Sequence, residues 1–158
     1  MSEVVGYVTL EEANAYVTGH FMSSNMTRVA WESLSDADKL VLLRNSYRAI
    51  EMLPFRGRKT DSTQSSAFPR WPSTDVPTQI KDAQIANAIV LSDKSSQEDV
   101  EHYNKLRIYG VKSYSIGNLS ESFGSVKEGS NTFVQKGIYS QEAIRLLDSF
   151  LGGGFRIV

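Results

Sequence analysis

Cations and aromatic rings are interspersed in one stretch of the sequence, residues 54–72, in which Asp61 is the only acid. The cations are Arg56, Arg58, Lys59 and Arg70, and the rings are Phe55, Phe68 and Trp71. Proteins that bind single-stranded nucleic acid use this combination, because cations follow the phosphates while rings stack on unpaired bases. The stretch is therefore a candidate nucleic-acid contact. The alternative is that the three rings fill the core and the cations stay solvated.

No other residues have the spacing of a catalytic or metal site. The two histidines, His20 and His102, are far apart in sequence, and neither has an acidic residue four positions later. The triple glycine at 152–154 follows a predicted helix, whereas a phosphate-binding loop precedes one. We therefore predict no catalytic residue, no cofactor and no metal, and we do not expect an enzyme.

Composition limits the remaining function classes. The 158 residues fit one domain. A net charge of −1 gives no general attraction to nucleic acid or anionic lipid, so any DNA contact must be local. The absence of cysteine excludes disulfides and thiolate chemistry. Apolar runs are far shorter than the roughly 20 residues that cross a bilayer, so we expect a soluble protein without a membrane partner.

Hydrophobic periodicity and helix caps predict a mainly α fold, a small helical bundle formed by residues 1–151. A capping box at Thr9–Glu12 begins the first helix, which runs to about Phe21. Trp31 is placed in the connection that follows. Further helices are predicted over residues 36–52, from Val76-Pro77 to about residue 91, from Ser96 to near Gly110, and from Ser140 to Leu151.

Four segments lack a helical pattern. Residues 54–76 contain three of the four prolines and are predicted to form a long loop. Alternating apolar residues over 111–123 predict a β-hairpin or extended arm with a two-residue turn. Residues 124–137 are too polar and glycine-rich for a packed element, and residues 152–158 form a glycine-hinged, flexible apolar tail.

The order of several short motifs resembles a known family. The motifs are Tyr7–Tyr16, Trp31, Arg44 with Tyr47, Phe55-x-Gly57-x-Lys59, Gln64, Phe68-Pro69-Arg70, Val76-Pro77 and Gly110–Gly117. In this order they are similar to tailed-phage head-to-tail connector (adaptor) proteins, many of which carry the label of single-stranded-DNA-binding proteins of a primosomal type. The likeness covers nearly the whole chain and departs from the family at 124–137 and in the tail.

This resemblance implies a structural virion protein without enzymatic activity. Such subunits form a homo-oligomeric ring, commonly of twelve copies, in the neck of the particle, after assembly in the host cytoplasm. The ring joins the portal protein to a stopper or tail-completion protein and surrounds packaged double-stranded DNA, with which contact is non-specific. The alternative function is that of a single-stranded-DNA-binding replication accessory protein that uses residues 54–72.

For the connector, we expect three sets of contact residues. A DNA channel or subunit boundary is assigned to Arg56, Arg58, Lys59 and Arg70. Attachment to the portal or a neighbouring subunit is assigned to Phe150, Leu151, Phe155, Arg156, Ile157 and Val158. An arm that faces another subunit or the tail is assigned to Lys112, Tyr114, Ile116, Leu119 and Phe123.

Overall fold

The computed structural model describes residues 3–94, 97–99, 101–102, 105, 113–116, 119–122 and 133–152. It is mainly helical, which confirms the predicted fold class. The helices are α1 (Leu10–His20), α2 (Met26–Ser33), α3 (Asp36–Glu51), α4 (Thr78–Leu91) and α5 (Gln141–Asp148). The strands are β1 (Val4–Val5), β2 (Val8–Thr9), β3 (Ser113–Ile116) and β4 (Leu119–Ser122).

Two antiparallel hairpins accompany the helices. In the first, β1 pairs with β2 so that Val5 lies opposite Val8. In the second, β3 pairs with β4, and Ile116 lies opposite Leu119. The second hairpin confirms the strands predicted within residues 111–123, and the predicted turn at residues 117–118 lies outside the described residues.

Helix α4 is the centre of the fold, packed between α3 and α5. Its middle is buried on every side, and its alanines allow the close approach of neighbouring helices. Two buried amides on α4, those of Gln84 and Asn87, bind backbone groups of other elements. Gln84 donates to the carbonyls of Val5 and Leu43 at 2.8 and 3.0 Å, and Asn87 accepts the Tyr139 N–H at 2.9 Å. These bonds connect β1, α3 and the approach to α5 through one helix.

Local capping chemistry sets the helix starts that the sequence predicts. Thr9 and Glu12 form the expected reciprocal capping box, with bonds of 2.8 and 3.1 Å. Ser35 caps α3 and Ser140 caps α5 through their side-chain oxygens. These helices therefore begin where predicted.

The connection predicted around Trp31 is wrong, because the residue lies in α2. Asn25 caps this helix by accepting the Thr27 N–H at 2.8 Å. Trp31 is the only buried residue of α2, and its indole N–H donates to Asn14 at 3.0 Å. Periodicity could not reveal a helix that buries a single side chain.

The prediction that residues 124–137 hold no packed element is wrong at their end. Residues 133–135 form a helical turn that buries Phe133 completely. The Ile138 N–H closes this turn on the Phe133 carbonyl at 2.9 Å. The average composition of residues 124–137 is polar. It therefore does not show that Phe133, the one aromatic residue among them, has a buried side chain.

Part of the helix predicted from Ser96 to near Gly110 is described. Residues 97–99 and 101–102 have helical backbone. The predicted cap at Ser96 and the predicted end near Gly110 lie outside the described residues.

Candidate nucleic-acid interface

The predicted long loop, residues 54–76, has two arms that pair with each other. Lys59 and Arg70 lie opposite one another in an antiparallel bridge. The Trp71 N–H donates to the Arg58 carbonyl at 3.0 Å. The absence of a helix is confirmed, but the loop has internal order that proline content alone does not predict.

Two of the four predicted contact cations hold the loop together. The Arg70 guanidinium donates to the carbonyls of Arg56 at 2.8 Å, Ala67 at 3.1 Å and Phe55 at 3.3 Å, and also to that of Gly57. One side chain thus bridges both arms. The planar guanidinium suits this role because its donors diverge in a fixed fork.

The ammonium of Lys59 is also occupied. It donates to the carbonyls of Gln64 and Ser65 at 3.2 and 3.3 Å, at the tip of the loop. Lys59 and Arg70 are therefore structural cations, whose hydrogen bonds to backbone carbonyls stabilise the loop.

The other two cations, Arg56 and Arg58, are exposed. The Arg58 guanidinium carbon lies 4.8 Å from the ring centroid of Trp71, within cation–π range. Neither guanidinium has a hydrogen bond or ion pair with the described part of the chain. Both are therefore available to anionic groups in solution.

The three rings of the loop divide between core and surface. Phe68 is buried, and its ring meets those of Phe55 at 4.7 Å and Phe150 at 5.7 Å in edge-to-face geometry. Phe55 is half-buried, whereas Trp71 is 59% exposed. The two phenylalanines therefore pack against the core, as the alternative interpretation of the sequence expected. Of the three rings, only that of Trp71 is exposed enough to stack on a base.

Tyr7 and Glu51 fix the second arm of the loop on the core. The Glu51 carboxylate accepts the Ala67 N–H at 2.9 Å and the hydroxyl proton of Tyr7. The Phe68 N–H in turn donates to the Tyr7 hydroxyl oxygen at 3.3 Å. Burial, followed by the bond to Glu51, raises the pKa of Tyr7 well above its usual range. The hydroxyl therefore remains protonated and keeps donating to Glu51.

The first arm of the loop is attached to the end of the last helix. The Arg56 N–H donates to the Phe150 carbonyl at 3.0 Å, and the Gly152 N–H donates to the Pro54 carbonyl at 2.9 Å. The loop is therefore attached to the residues that follow α5 as well as to α3.

These attachments form a cleft of about 500 Å³ beside the exposed tryptophan. It is lined by Arg56, Gly57, Phe68, Arg70, Trp71, Ser73, Pro77, Ser149 and Phe150. The sequence predicts four of these lining residues as contact residues, namely Arg56, Phe68, Arg70 and Trp71. It does not single out Gly57, Ser73, Pro77 or Ser149 as contacts, and it assigns Phe150 to portal or subunit attachment, because no pattern in it shows that the end of α5 lies against the loop. The cleft combines apolar rings with two cations.

The predicted attachment and arm residues are only partly described. Leu151 is buried in this chain's own core, and Phe150 packs on Phe68. Tyr114, Ile116 and Leu119 lie on the strands of the second hairpin. Lys112, Phe123, Phe155, Arg156, Ile157 and Val158 lie outside the described residues. The attachment and arm roles of both sets stay predictions.

The described residues offer no second chemical centre. His20 is exposed, and its ring stacks on Tyr16 with centroids 3.9 Å apart. Among the residues that the structure describes, no group of His, Cys, Asp and Glu could hold a metal ion. Within the same residues, no helix is long and apolar enough to cross a membrane.

A family model described as "Putative DnaT-like ssDNA binding protein" matches residues 4–156. The chain belongs to this family. No curated protein and no solved structure matches it. The matched family spans the helices, the loop and the cleft, and so includes the whole candidate interface.

This match corrects the resemblance drawn from the sequence. The family is a DnaT-like one and not a phage head-to-tail connector family, so the connector resemblance and the virion function it implied are wrong. Motifs that are short and individually weak matched in order without discriminating between the two. The ring, its protein partners, its location and the lack of enzymatic activity remain untested predictions.

Proposed function

We propose that this protein binds single-stranded DNA through Arg56, Arg58 and Trp71. The observation that carries the proposal is the exposed Trp71 ring, contacted by the Arg58 guanidinium and adjoining the cleft that Arg56 lines. Membership of a family described as single-stranded-DNA-binding supports the same function.

The two free arginines supply the phosphate contacts. Each cation that neutralises a phosphate of a single strand releases about 0.7 counterion, so affinity falls as salt rises. Two such contacts give a slope of log K against log salt of about −1.4. Since the protein's net charge is −1, this local pair must provide most of the electrostatic attraction.

The exposed ring supplies the preference for single strands. Stacking of a base on an aromatic side chain contributes roughly 1–3 kcal/mol. A base in a duplex has both faces covered by its neighbours, so Trp71 can stack only where the strand is unpaired. The site therefore favours single strands without reading their sequence.

The loop presents these groups in fixed positions before DNA binds. Arg70 joins the two arms, and Glu51 holds the second arm on α3. Ordering a loop upon binding costs free energy, and a loop that is already ordered avoids that cost. The structural cations Arg70 and Lys59 therefore contribute to binding by positioning.

The test is the affinity of an oligothymidylate for the wild type and for Arg56→Ala, Arg58→Ala and the double variant, measured by fluorescence anisotropy across a salt series. Each single change should reduce the salt slope by about 0.7, and the double change by about 1.4. At 0.1 M salt, each change should weaken binding about fivefold.

Lys94→Ala is the matched control for the lost charge. Lys94 is exposed and lies beyond the far end of α4, whose 14 residues separate it from the cleft by about 20 Å. It should bind like the wild type. If the double variant keeps the wild-type affinity and salt slope, the proposed surface is wrong.

A further inference from the structure

The lining of the cleft beside Trp71 suits a flat ring. Trp71 and Phe150 contribute apolar walls. Pro77, at the start of α4, also lines the cleft. The volume of about 500 Å³ lies within the roughly 300–1,000 Å³ of typical small-molecule sites. We infer that this cleft receives one unpaired nucleobase of the bound strand, an inference that rests on the proposed single-strand binding.

Charge is placed where the backbone of such a nucleotide would lie. Arg56 is exposed and lines the cleft, and its guanidinium is free. Arg58 is not part of the lining, although its guanidinium lies 4.8 Å from the Trp71 ring. A base held in the cleft therefore has one free cation beside it and a second one next to Trp71 outside the cleft, which suits the phosphates on either side of one nucleotide.

The walls are preassembled from separate elements. The Arg56 N–H is bonded to the Phe150 carbonyl, so the loop and the end of α5 cannot separate without breaking that bond. The ring of Phe68 is buried and packs against the ring of Phe150. The cleft is therefore formed before a base binds, and the apolar faces of an inserted base would replace water against the rings.

The polar groups of the cleft predict tolerance of base identity. The Ser73 hydroxyl donates to the Asp75 carbonyl at 3.0 Å and accepts the Asp75 N–H at 3.2 Å, so its local turn occupies it. Ser149 is exposed, and a hydroxyl can both donate and accept. Neither residue presents a fixed donor and acceptor pair to a base edge. We expect thymine, cytosine and adenine to bind within a few-fold of one another.

The test uses two oligonucleotides of equal length, one of thymidylate and one in which every base is replaced by an abasic tetrahydrofuran. Both carry the same phosphates, so only base contacts distinguish them. The wild type should bind the thymidylate strand about tenfold tighter, as expected for stacked bases. In Ser149→Leu, a larger side chain fills part of the cleft while Arg56, Arg58 and Trp71 remain. This variant should lose most of that preference and bind the abasic strand as the wild type does.

Ser33→Leu is the matched control, because Ser33 is an exposed residue at the end of α2 and does not line the cleft. It should keep the tenfold preference, and melting temperatures should show that both variants are folded. The inference is overturned if the wild type binds both strands equally, or if folded Ser149→Leu keeps the full preference. Failure to bind either strand would instead refute the proposed function itself.

Discussion

The carboxylate of Glu51, in the last turn of α3, accepts the backbone N–H of Ala67 at 2.9 Å, and so connects a core helix to the loop that carries the candidate interface. The Tyr7 hydroxyl donates to the same carboxylate and accepts from Phe68. Three segments distant in sequence thus meet at one carboxylate. Loss of the Glu51 carboxylate should therefore lower both the stability of the fold and the affinity for single-stranded DNA.

The first prediction is that Tyr7 and Glu51 are energetically coupled. Tyr7→Phe and Glu51→Gln should each lower the free energy of unfolding by about 1–2 kcal/mol, since each leaves a partner group poorly paired. The double variant should lose less than the sum, by at least about 0.5 kcal/mol. Urea unfolding of the wild type, the two single variants and the double variant measures this coupling. Strictly additive losses would show that the hydrogen bond between Tyr7 and Glu51 does not stabilise the fold.

The second prediction concerns alkaline pH. Because the pKa of Tyr7 is raised in the folded state, the unfolded chain loses this proton near pH 10 while the folded chain keeps it. The folded state then binds more protons, so stability should fall as pH rises above 10, by up to about 1.4 kcal/mol per pH unit. Urea unfolding between pH 9 and 11 tests this, and Tyr7→Phe should reduce the slope. An equal slope in that variant would assign the effect to other groups.

The third prediction concerns Gly6, between β1 and β2. Its φ is 70°, and a Cβ added there would overlap the Tyr47 ring. Gly6→Ala should therefore cost about 2–4 kcal/mol, from the left-handed backbone and from overpacking. Gly19→Ala is the control, because α1 leaves open space around that position and the change should stabilise the protein by up to about 1 kcal/mol. Thermal unfolding compares them, and equal melting temperatures would contradict the close packing at Gly6.

The fourth prediction separates the structural cations from the free ones. Arg70→Lys keeps the charge but loses the fork that reaches four carbonyls, so it should lower stability by about 1–2 kcal/mol and weaken single-strand binding. Arg56→Lys keeps a free exposed cation and should change neither stability nor salt slope. Melting curves and anisotropy measure both, and indistinguishable variants would refute this division of roles.

Local rules in the sequence predict much of the fold. The starts of α1, α3 and α5 follow from caps formed by residues within three positions, and the β3–β4 hairpin follows from alternation around a two-residue turn. Gln84 also had a readable signal, since it lies four residues after Ile80 and four before Ala88 on a buried stripe. A polar residue on such a stripe indicates a buried hydrogen-bonding role.

The site could be only partly predicted, because its organisation depends on contacts between distant residues. The sequence shows four cations near three rings but not that Arg70 binds carbonyls up to 15 positions away. It also cannot show that Ser149 and Phe150 lie against the loop. Which cations are free, and which ring is exposed, are consequences of the folded loop alone.

The proposed function depends above all on stacking of the exposed Trp71 ring on unpaired bases. Because Trp71 is 59% exposed, its replacement should leave the fold intact. The most direct measurement is the affinity of Trp71→Ala for oligothymidylate, compared with the wild type at the same salt concentration. We expect binding at least about fivefold weaker, at an unchanged melting temperature and salt slope, because stacking of one base contributes roughly 1–3 kcal/mol. A folded Trp71→Ala protein that binds the strand as tightly as the wild type would contradict the stacking of Trp71 on unpaired bases.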